Sequence, residues 1–296
     1  MNLSSPAAVS LLLKKHDLRP RRRFGQNFLV DANTLQKIVD SANIFHGSQI
    51  VEIGSGLGVL TTALSFATGS TGTVVTIEID GDLLPALQES IEGLTNVHSV
   101  FGDALKLDWE SLNSQYFSDG PIKVVANIPY NITSPLLTML LTLPLNIETI
   151  VLLVQKEVAE RLSSPPGSDN YGSISVFAQY HSKVDVIGTV SRRVFVPAPD
   201  VDSAIIRLTP HKTRLMDACD EDLYLRIVRA SFGQRRKSLI NSLSGDPALG
   251  WDKPTASSIL EDSGIDAHRR GETLNLGEFA GITRSAKSQI TATESE

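Results

Sequence analysis

Short apolar runs alternate with amphipathic stretches over the first half of the chain. The apolar runs predict strands over 48–53, 73–79, 97–101, 122–127 and 148–154. Between them, apolar residues recur at helical spacing near 59–67, 81–92 and 133–142. Strands that alternate with helices are typical of a parallel sheet covered on both faces. The pattern therefore predicts an α/β fold with a mostly parallel sheet.

Two further strands are predicted over 183–190 and 203–209, which brings the sheet to seven strands. From about residue 212 the pattern becomes helical and more polar, which indicates a small α-helical domain. The last residues are small and polar, and we expect them to be disordered. The predicted organisation is an α/β domain with a basic N-terminal lead over 1–211, a C-terminal helical domain over 212–284 and a disordered tail over 285–296.

Composition and motif content argue against several classes of protein. With 41% hydrophobic and 20% charged residues, and no apolar run near the roughly 20 residues of a membrane helix, we expect a soluble cytoplasmic protein with no membrane partner. The basic stretch after "VSLLL" leaves a transit peptide open. One cysteine, Cys219, and six scattered histidines predict neither a disulfide nor a bound metal. The absence of G-x-S-x-G argues against a serine hydrolase.

The net charge of −6 argues at first against a nucleic-acid partner, but the basic residues are clustered. Residues 14–23 hold six Lys or Arg against one Asp, and residues 226–237 hold five with no acid. Each run alone is compatible with a solvated helix face. Together they make nucleic-acid contact the competing interpretation. The candidate contacts are Arg21, Arg22, Arg23, Arg235, Arg236 and Lys237.

A glycine-rich turn, "VEIGSGLG", follows the first predicted strand and precedes a helix. Gly54 and Gly56 would let backbone amides approach a ligand closely at the helix N-terminus. The spacing is G-x-G-x-G, whereas dinucleotide dehydrogenases usually show G-x-G-x-x-G. The turn therefore favours a different cofactor, although a plain strand-to-helix turn would look the same.

Polar residues also follow the next predicted strands. Glu78 ends the second strand, where an acid accepts bonds from ribose hydroxyls, and Asp103 follows the third. Either acid alone is compatible with a helix N-cap. The fourth strand ends in "NIPY", residues 127–130, which in isolation is compatible with an Asn and Pro turn. Because ligands bind at the carboxyl edge of such sheets, the series predicts an adenosine-containing cofactor there.

In combination, eight segments resemble successive motifs of the ribosomal RNA adenine N6-dimethyltransferases. They are "RRRFGQNFLVD", "VEIGSGLGVLT", "IEID", "GDAL", "NIPYNIT", "VQKEVAERL", "VFVPAPDVDSAIIRL" and "SFGQRRKSLINSL", between about residues 18 and 245. The resemblance implies a Rossmann-like class I methyltransferase with S-adenosylmethionine as cofactor. The cofactor contacts that it implies are Asn27, Leu29, Gly54, Gly56, Glu78, Asp103 and Asn127.

The family resemblance implies a catalytic role for the tetrapeptide "NIPY", residues 127–130. The side-chain oxygen of Asn127 and the carbonyl of Ile128 can accept N–H bonds from an adenine amino group, whose lone pair is otherwise delocalised into the ring. Pro129 restricts Ile128 to an extended conformation. Tyr130 offers a face for stacking on an adenine that has left its helix. Phe195 is expected to close the other face of the base, although a lone aromatic is also compatible with a core position.

The resemblance implies that the substrate is two adjacent adenines in the hairpin loop near the 3′ end of small-subunit ribosomal RNA, within a pre-ribosomal small subunit. The alternatives are a large-subunit RNA adenine methyltransferase that gives macrolide resistance, a DNA adenine methylase and a non-catalytic ribosome-assembly factor. The segment "SFGQRRKSLINSL" and the long N-terminal lead favour the small-subunit group. Intact Asn127, Pro129 and Tyr130 favour a catalytic protein.

Overall fold

The computed structural model describes residues 3–21, 25–213, 220–234 and 236–294. The chain forms two compact units, and it passes between them more than once. The first unit extends to Ala159 and includes Val184–Pro210, and the second contains Glu160–Lys183 and the chain from His211 onward. None of the described helices is both long enough and apolar enough to cross a membrane.

Nine strands occur in the described residues. They are β1 (Phe28–Leu29), β2 (Gln49–Ile53), β3 (Thr73–Glu78), β4 (Val97–Phe101), β5 (Ile122–Asn127), β6 (Ile147–Gln155), β7 (Ser182–Val190), β8 (Phe195–Val196) and β9 (Ser203–Pro210). Seven form one sheet in the order β4-β3-β2-β5-β6-β9-β7. Strands β2 to β6 pair in parallel, whereas β9 is antiparallel to β6. The predicted seven-stranded, mostly parallel sheet is therefore confirmed.

Strands β1 and β8 form a small antiparallel ribbon that the sequence pattern did not reveal. Leu29 pairs with Phe195 and Phe28 pairs with Val196. The N–H of Val30 extends the pairing by donating to the Val194 carbonyl at 2.8 Å. Two residues per strand are too few to show an alternating pattern, so periodicity could not have predicted this ribbon.

The helices of the first unit connect and cover the strands of the large sheet. They are α1 (Pro6–Lys15), α2 (Ala32–Ser41), α3 (Val59–Thr68), α4 (Leu84–Ser90), α5 (Trp109–Tyr116) and α6 (Thr133–Thr142), and α7 (Lys156–Ser163) crosses into the second unit. Asp31 and Asp108 cap α2 and α5 by accepting backbone N–H bonds. The helix predicted over 81–92 is a 3-10 turn followed by the shorter α4.

The second unit is helical and has its own hydrophobic core. Its further helices are α8 (Ser173–His181), α9 (Glu221–Gly233), α10 (Leu239–Leu243), α11 (Lys253–Asp262) and α12 (Leu276–Glu294). The buried Tyr171 donates its hydroxyl to the Leu274 carbonyl at 3.0 Å, and the Tyr180 ring stacks on Tyr224 with centroids 4.5 Å apart. These contacts place 160–183 with the C-terminal helices, whereas the sequence pattern predicts this segment in the α/β domain.

The prediction of a disordered tail over 285–296 is wrong for its first ten residues, because α12 continues to Glu294. Ala286 is fully buried in the helical core. The Lys287 ammonium lies 3.0 Å from an Asp220 carboxylate oxygen, and the Gln289 amide donates to Asp262 at 2.6 Å. A polar helix that buries only one narrow face lacks the apolar content by which sequence reasoning recognises order.

Candidate active site

The carboxyl ends of four neighbouring strands surround one cavity in the first unit. Its walls come from the ends of β2, β3 and β5, from the residues that follow β4, and from the segment 25–29. Every predicted cofactor residue and the whole tetrapeptide line this cavity: Asn27, Leu29, Gly54, Gly56, Glu78, Asp103, Asn127, Ile128, Pro129 and Tyr130. Gly54, Glu78 and Asn127 are far apart in sequence and meet here because parallel strands end at the same edge.

The glycine-rich turn lies close against its neighbours. Gly54 and Gly56 have φ values of 78° and 55°, which favour glycine. A Cβ added to Gly56 would lie 3.2 Å from the Phe28 ring, and one added to Gly54 would lie 3.4 Å from the Asn127 carbonyl oxygen. Side chains at these positions would narrow the cavity. The turn therefore keeps room for a ligand next to its backbone.

Glu78 is held rigidly in the cavity wall. One carboxylate oxygen accepts the Gly56 N–H at 2.7 Å, and the other accepts the Asp80 N–H at 2.8 Å. Burial raises the pKa of Glu78, while these backbone hydrogen bonds act in the opposite direction. Each oxygen keeps further lone-pair capacity. The carboxylate is therefore positioned to accept hydrogen bonds from a ligand hydroxyl.

Two further polar groups of the wall are available to a ligand. Asp103 accepts the Leu105 N–H at 3.0 Å through one oxygen, and its other oxygen lies 3.5 Å from the exposed Lys106 ammonium. The hydroxyl of Ser55 is buried and has no hydrogen-bond partner among the described residues. An unsatisfied buried hydroxyl is unfavourable, so this wall fits a cofactor with several polar groups, such as S-adenosylmethionine.

Asn127 ends β5 with its amide oriented by the opposite wall. Its side-chain nitrogen donates to the Asn27 carbonyl at 3.3 Å. Since one amide carries both groups, this bond fixes the direction of the side-chain oxygen. Within the described part of the chain, no group donates a hydrogen bond to that oxygen. Asn127 therefore offers an acceptor to a ligand.

Tyr130 is tethered by a residue that sequence reasoning missed. Its hydroxyl lies 2.7 Å from the hydroxyl of Ser203, the fully buried first residue of β9. Burial raises the pKa of Tyr130. Ser203 belongs to the "PDVDS" segment, whose repeated polar residues before a strand were the available signal. The hydrogen bond fixes the Tyr130 ring at the cavity edge.

Phe195 lies in the hydrophobic core and not at the cavity, where the family resemblance predicts it. Only 3% of the residue is exposed, it pairs with Leu29 across the β1–β8 ribbon, and it belongs to a hydrophobic cluster with Ile38 and Val39. It is not part of the cavity wall. The predicted stacking face is therefore wrong for this structure, because the ring is enclosed by apolar neighbours in the core.

The predicted RNA contacts have different outcomes. Arg21 forms ion pairs with Asp80, at 3.0 Å, and with Asp82, so its charge is already compensated within the first unit and the structure contradicts a free phosphate contact. Arg236 and Lys237 are exposed. The remaining candidates, Arg22, Arg23 and Arg235, lie outside the described residues. No cluster of three metal-ligating side chains occurs in the described ranges.

Glu52 lies fully buried beneath the glycine-rich turn. One carboxylate oxygen accepts hydroxyl bonds from Thr61 at 2.5 Å and Thr76 at 2.7 Å, and the other oxygen has no partner among the residues described. Burial raises the pKa of Glu52 from its ordinary 4.5 to about 7, partly offset by the two hydroxyls. The folded protein therefore holds a proton on Glu52 more tightly than the unfolded chain.

This difference predicts how stability depends on pH. The contribution of protonated Glu52 is fully present below pH 4.5 and is lost as the pH rises to about 7. Glutamine cannot lose a proton, so Glu52→Gln should not lose this contribution as the pH rises. We therefore expect its free energy of unfolding, relative to that of the parent, to increase by on the order of 2 to 3 kcal/mol when the pH is raised from 5 to 8. Urea unfolding at both pH values measures this gain. The exposed Glu110→Gln is the matched control, and a parent-to-Glu52→Gln difference that is independent of pH would contradict the assignment.

Comparison with known proteins identifies the family. A family model described as ribosomal RNA adenine dimethylase matches residues 18–280. Ribosomal RNA small subunit methyltransferase A of Moorella thermoacetica is 43% identical over 289 residues, which cover 96% of this chain and 98% of that protein. The protein of the same name from Clostridioides difficile is 38% identical, over 98% and 99% of the two chains.

Two solved structures share the fold. A dimethyladenosine transferase from Plasmodium falciparum has a TM-score of 0.74 at 26% identity and covers 89% of this chain and 98% of its own. The 23S rRNA methyltransferase ErmE has a TM-score of 0.65 at 25% identity, over 88% and 100% of the two chains. These similarities confirm the expected Rossmann-like methyltransferase fold, enzyme class and S-adenosylmethionine cofactor. The chain belongs to the ribosomal RNA adenine dimethylase family.

Proposed function

We propose that this cytoplasmic enzyme transfers methyl groups from S-adenosylmethionine to N6 of two adjacent adenines in the hairpin loop near the 3′ end of small-subunit ribosomal RNA, within a pre-ribosomal small subunit. The observation that carries the proposal is the oriented amide of Asn127, with its oxygen available in the cavity. Nearly full-length similarity to proteins named small subunit methyltransferases supports the choice of RNA.

S-adenosylmethionine supplies a methyl group that is already activated by its positively charged sulfur. The residues of the chain must therefore position the acceptor. The Asn127 oxygen would accept one N–H of the adenine amino group, and the Ile128 carbonyl would accept the other. As the N–CH3 bond forms, the S–CH3 bond breaks to leave S-adenosylhomocysteine, and one proton of the amino group is released to water. Both hydrogen bonds favour a pyramidal nitrogen, whose lone pair is localised. Because these bonds are strongest when the nitrogen is pyramidal, they stabilise the transition state more than the bound substrate.

Different residues of the cavity wall bind different parts of the cofactor. Glu78 accepts hydrogen bonds from the ribose hydroxyls, and Asp103 accepts one from the adenine amino group of the cofactor. Gly54 and Gly56 allow the backbone to lie against it, and Asn27 and Leu29 cover it from the N-terminal side. Among the described wall residues, Glu78 is the acid whose two oxygens are both fixed by backbone N–H groups.

Tyr130 supplies the stacking face for the target adenine. Its hydroxyl is fixed by Ser203, so the ring loses little further rotational freedom when a base stacks on it. Phe195 is enclosed in the core and is not assigned to this task. The target adenine must leave its helix or come from a loop to reach the Tyr130 ring.

The substrate assignment is tested by incubating the protein with labelled S-adenosylmethionine and both ribosomal subunits from cells that lack the modification. We expect label in two adjacent adenines of small-subunit RNA. The variant Asn127→Ala should reduce single-turnover transfer by orders of magnitude with little change in RNA affinity, because it removes an acceptor needed most in the transition state. Ser203→Ala leaves Asn127 intact and serves as the milder comparison.

Other labelling patterns would favour a different function. Label in large-subunit RNA would favour the activity named for ErmE, to which this chain is structurally similar. Absence of label from all RNA would favour an assembly factor. Transfer by Asn127→Ala within a few-fold of the parent would refute the role of its amide.

The helical unit offers the phosphate contacts. Arg236 and Lys237 are exposed side chains in an acid-free segment of a chain whose net charge is −6. Exposure argues against a buried structural role and leaves both charges accessible. Cations that bind phosphates release counterions, so such contacts make RNA affinity depend on salt.

We expect Arg236→Glu and Lys237→Glu each to weaken RNA binding and to flatten its log-log salt slope by about 0.7 per lost contact. Titrations at several salt concentrations measure the slope, and calorimetry measures S-adenosylmethionine affinity, which should not change. Lys37→Glu, at an exposed position of α2, is the control with the same charge change. A slope equal to that of this control would refute the phosphate contacts.

A further inference from the structure

One wall of the cofactor cavity is a short segment of the N-terminal lead. Gly25, Gln26, Asn27, Phe28 and Leu29 all line the cavity. On its apolar side, the segment is held by the pairing of β1 with β8 and by the burial of Phe28 and Leu29. On its polar side, it is held by Asp80, a residue that does not line the cavity.

Asp80 is an acid with only 3% of its surface exposed, two positions after Glu78. One of its oxygens accepts a guanidinium N–H of Arg21 at 3.0 Å and the Asp82 N–H at 3.3 Å. Its other oxygen accepts the Gln26 side-chain N–H at 2.7 Å. Both oxygens are therefore satisfied, which offsets the unfavourable burial of the carboxylate.

Gln26 completes the network in the opposite direction. While its amide nitrogen donates to Asp80, its amide oxygen accepts the backbone N–H of Arg21 at 2.7 Å. The backbone N–H of Asp80 donates to Glu78 at 2.8 Å. A continuous series of hydrogen bonds thus joins the acid assigned to the cofactor ribose with the segment that covers the cavity.

The network has one consistent arrangement of donors and acceptors. Reversing the Gln26 amide would set its nitrogen against the Arg21 N–H and its oxygen against the Asp80 carboxylate. Both contacts would be repulsive. Displacement of the 25–29 segment would leave the buried Asp80 oxygen without its Gln26 donor, which is costly for a charged acceptor. The same bond that orients Glu78 therefore depends on a residue that also holds this segment in place.

We propose that Asp80 and Gln26 are positioning residues that retain S-adenosylmethionine: they fix the 25–29 segment over the cavity and the Glu78 carboxylate within it. Asp80 acts through Glu78 and Gln26 rather than by touching the cofactor. The inference rests on the proposed assignment of the cavity to the cofactor. Asp82, by contrast, is 56% exposed and pairs with Arg21 in solvent, where an ion pair contributes little.

An exchange of the two side chains tests the proposal. Asp80→Asn sets two amide donors against each other, and Gln26→Glu sets two carboxylates against each other. The double variant Asp80→Asn with Gln26→Glu restores every donor-to-acceptor pair and the net charge. We expect each single variant to lower S-adenosylmethionine affinity on the order of tenfold, mainly through faster dissociation. The double variant should return to within about threefold of the parent.

Calorimetry measures the affinity and stopped-flow measures the dissociation rate, with thermal unfolding of each variant as a check on folding. Asp82→Asn is the matched control and should stay within about twofold of the parent. If a single variant does not fold, Gln26→Ala replaces it, because alanine removes the bond without introducing repulsion. A purely structural pair would change the melting temperature without changing the cofactor dissociation rate of the folded protein, which would overturn the proposal.

The variant Asp103→Ala distinguishes failure of the cofactor-cavity assignment from failure of the positioning role of Asp80 and Gln26. If it weakens S-adenosylmethionine binding while the Asp80 and Gln26 single variants bind like the parent, the cavity assignment holds and the positioning role is wrong. If Asp103→Ala and both single variants bind like the parent, the cavity assignment and the positioning role both fail. Single variants that weaken binding without recovery in the double variant would also refute the reciprocal hydrogen bond.

Discussion

A buried carboxylate is stable in a protein only when donors satisfy its oxygens, and Glu78 meets this condition through the N–H groups of Gly56 and Asp80. The first bond draws the glycine-rich turn towards the end of β3. The second bond fixes the start of the loop that carries Asp80. Since Asp80 in turn accepts from Gln26, hydrogen bonds connect the Glu78 carboxylate to the glycine-rich turn, to the loop after β3 and to segment 25–29.

Asn127 depends on the same arrangement from the other side. Its amide donates to the carbonyl of Asn27, a neighbour of Gln26 in the covering segment. The amide that we propose contacts the target adenine is thus oriented by the segment that we propose covers the cofactor. In the proposed function, a few hydrogen bonds therefore link binding of the methyl donor to orientation of the acceptor.

The large sheet and the cavity were predictable because parallel strands impose strong local patterns. Buried strands are continuous apolar runs, and their carboxyl ends meet at one edge, so Glu78, Asp103 and Asn127 were brought together by topology. The position of Phe195 was not predictable in this way. An aromatic residue in a proline-containing loop is compatible with a stacking face or with a core position. The pairing of Phe195 with Leu29 decides between them, and it joins segments that are far apart in sequence.

Charge and boundary predictions failed for a similar reason. Arg21 belongs to a basic run, but its acidic partners lie about sixty positions further along the chain, beyond any local pattern. Tyr171 and Tyr180 precede strand β7, yet they pack with helices that begin after residue 220. Helix α12 is ordered by the burial of one small face, where Ala286 lies, rather than by its mean composition.

We propose that the edge formed by β2, β3 and β5 binds the cofactor, and methyl transfer to an adenine oriented by Asn127 would require the sulfur to face that residue. A crystal structure of the protein with S-adenosylhomocysteine, the demethylated product, tests this most directly. The ribose hydroxyls should lie within hydrogen-bond distance of Glu78, the adenine amino group near Asp103, and the sulfur on the side of Asn127. A product bound outside this cavity, or bound in it with the sulfur turned away from Asn127, would contradict the account.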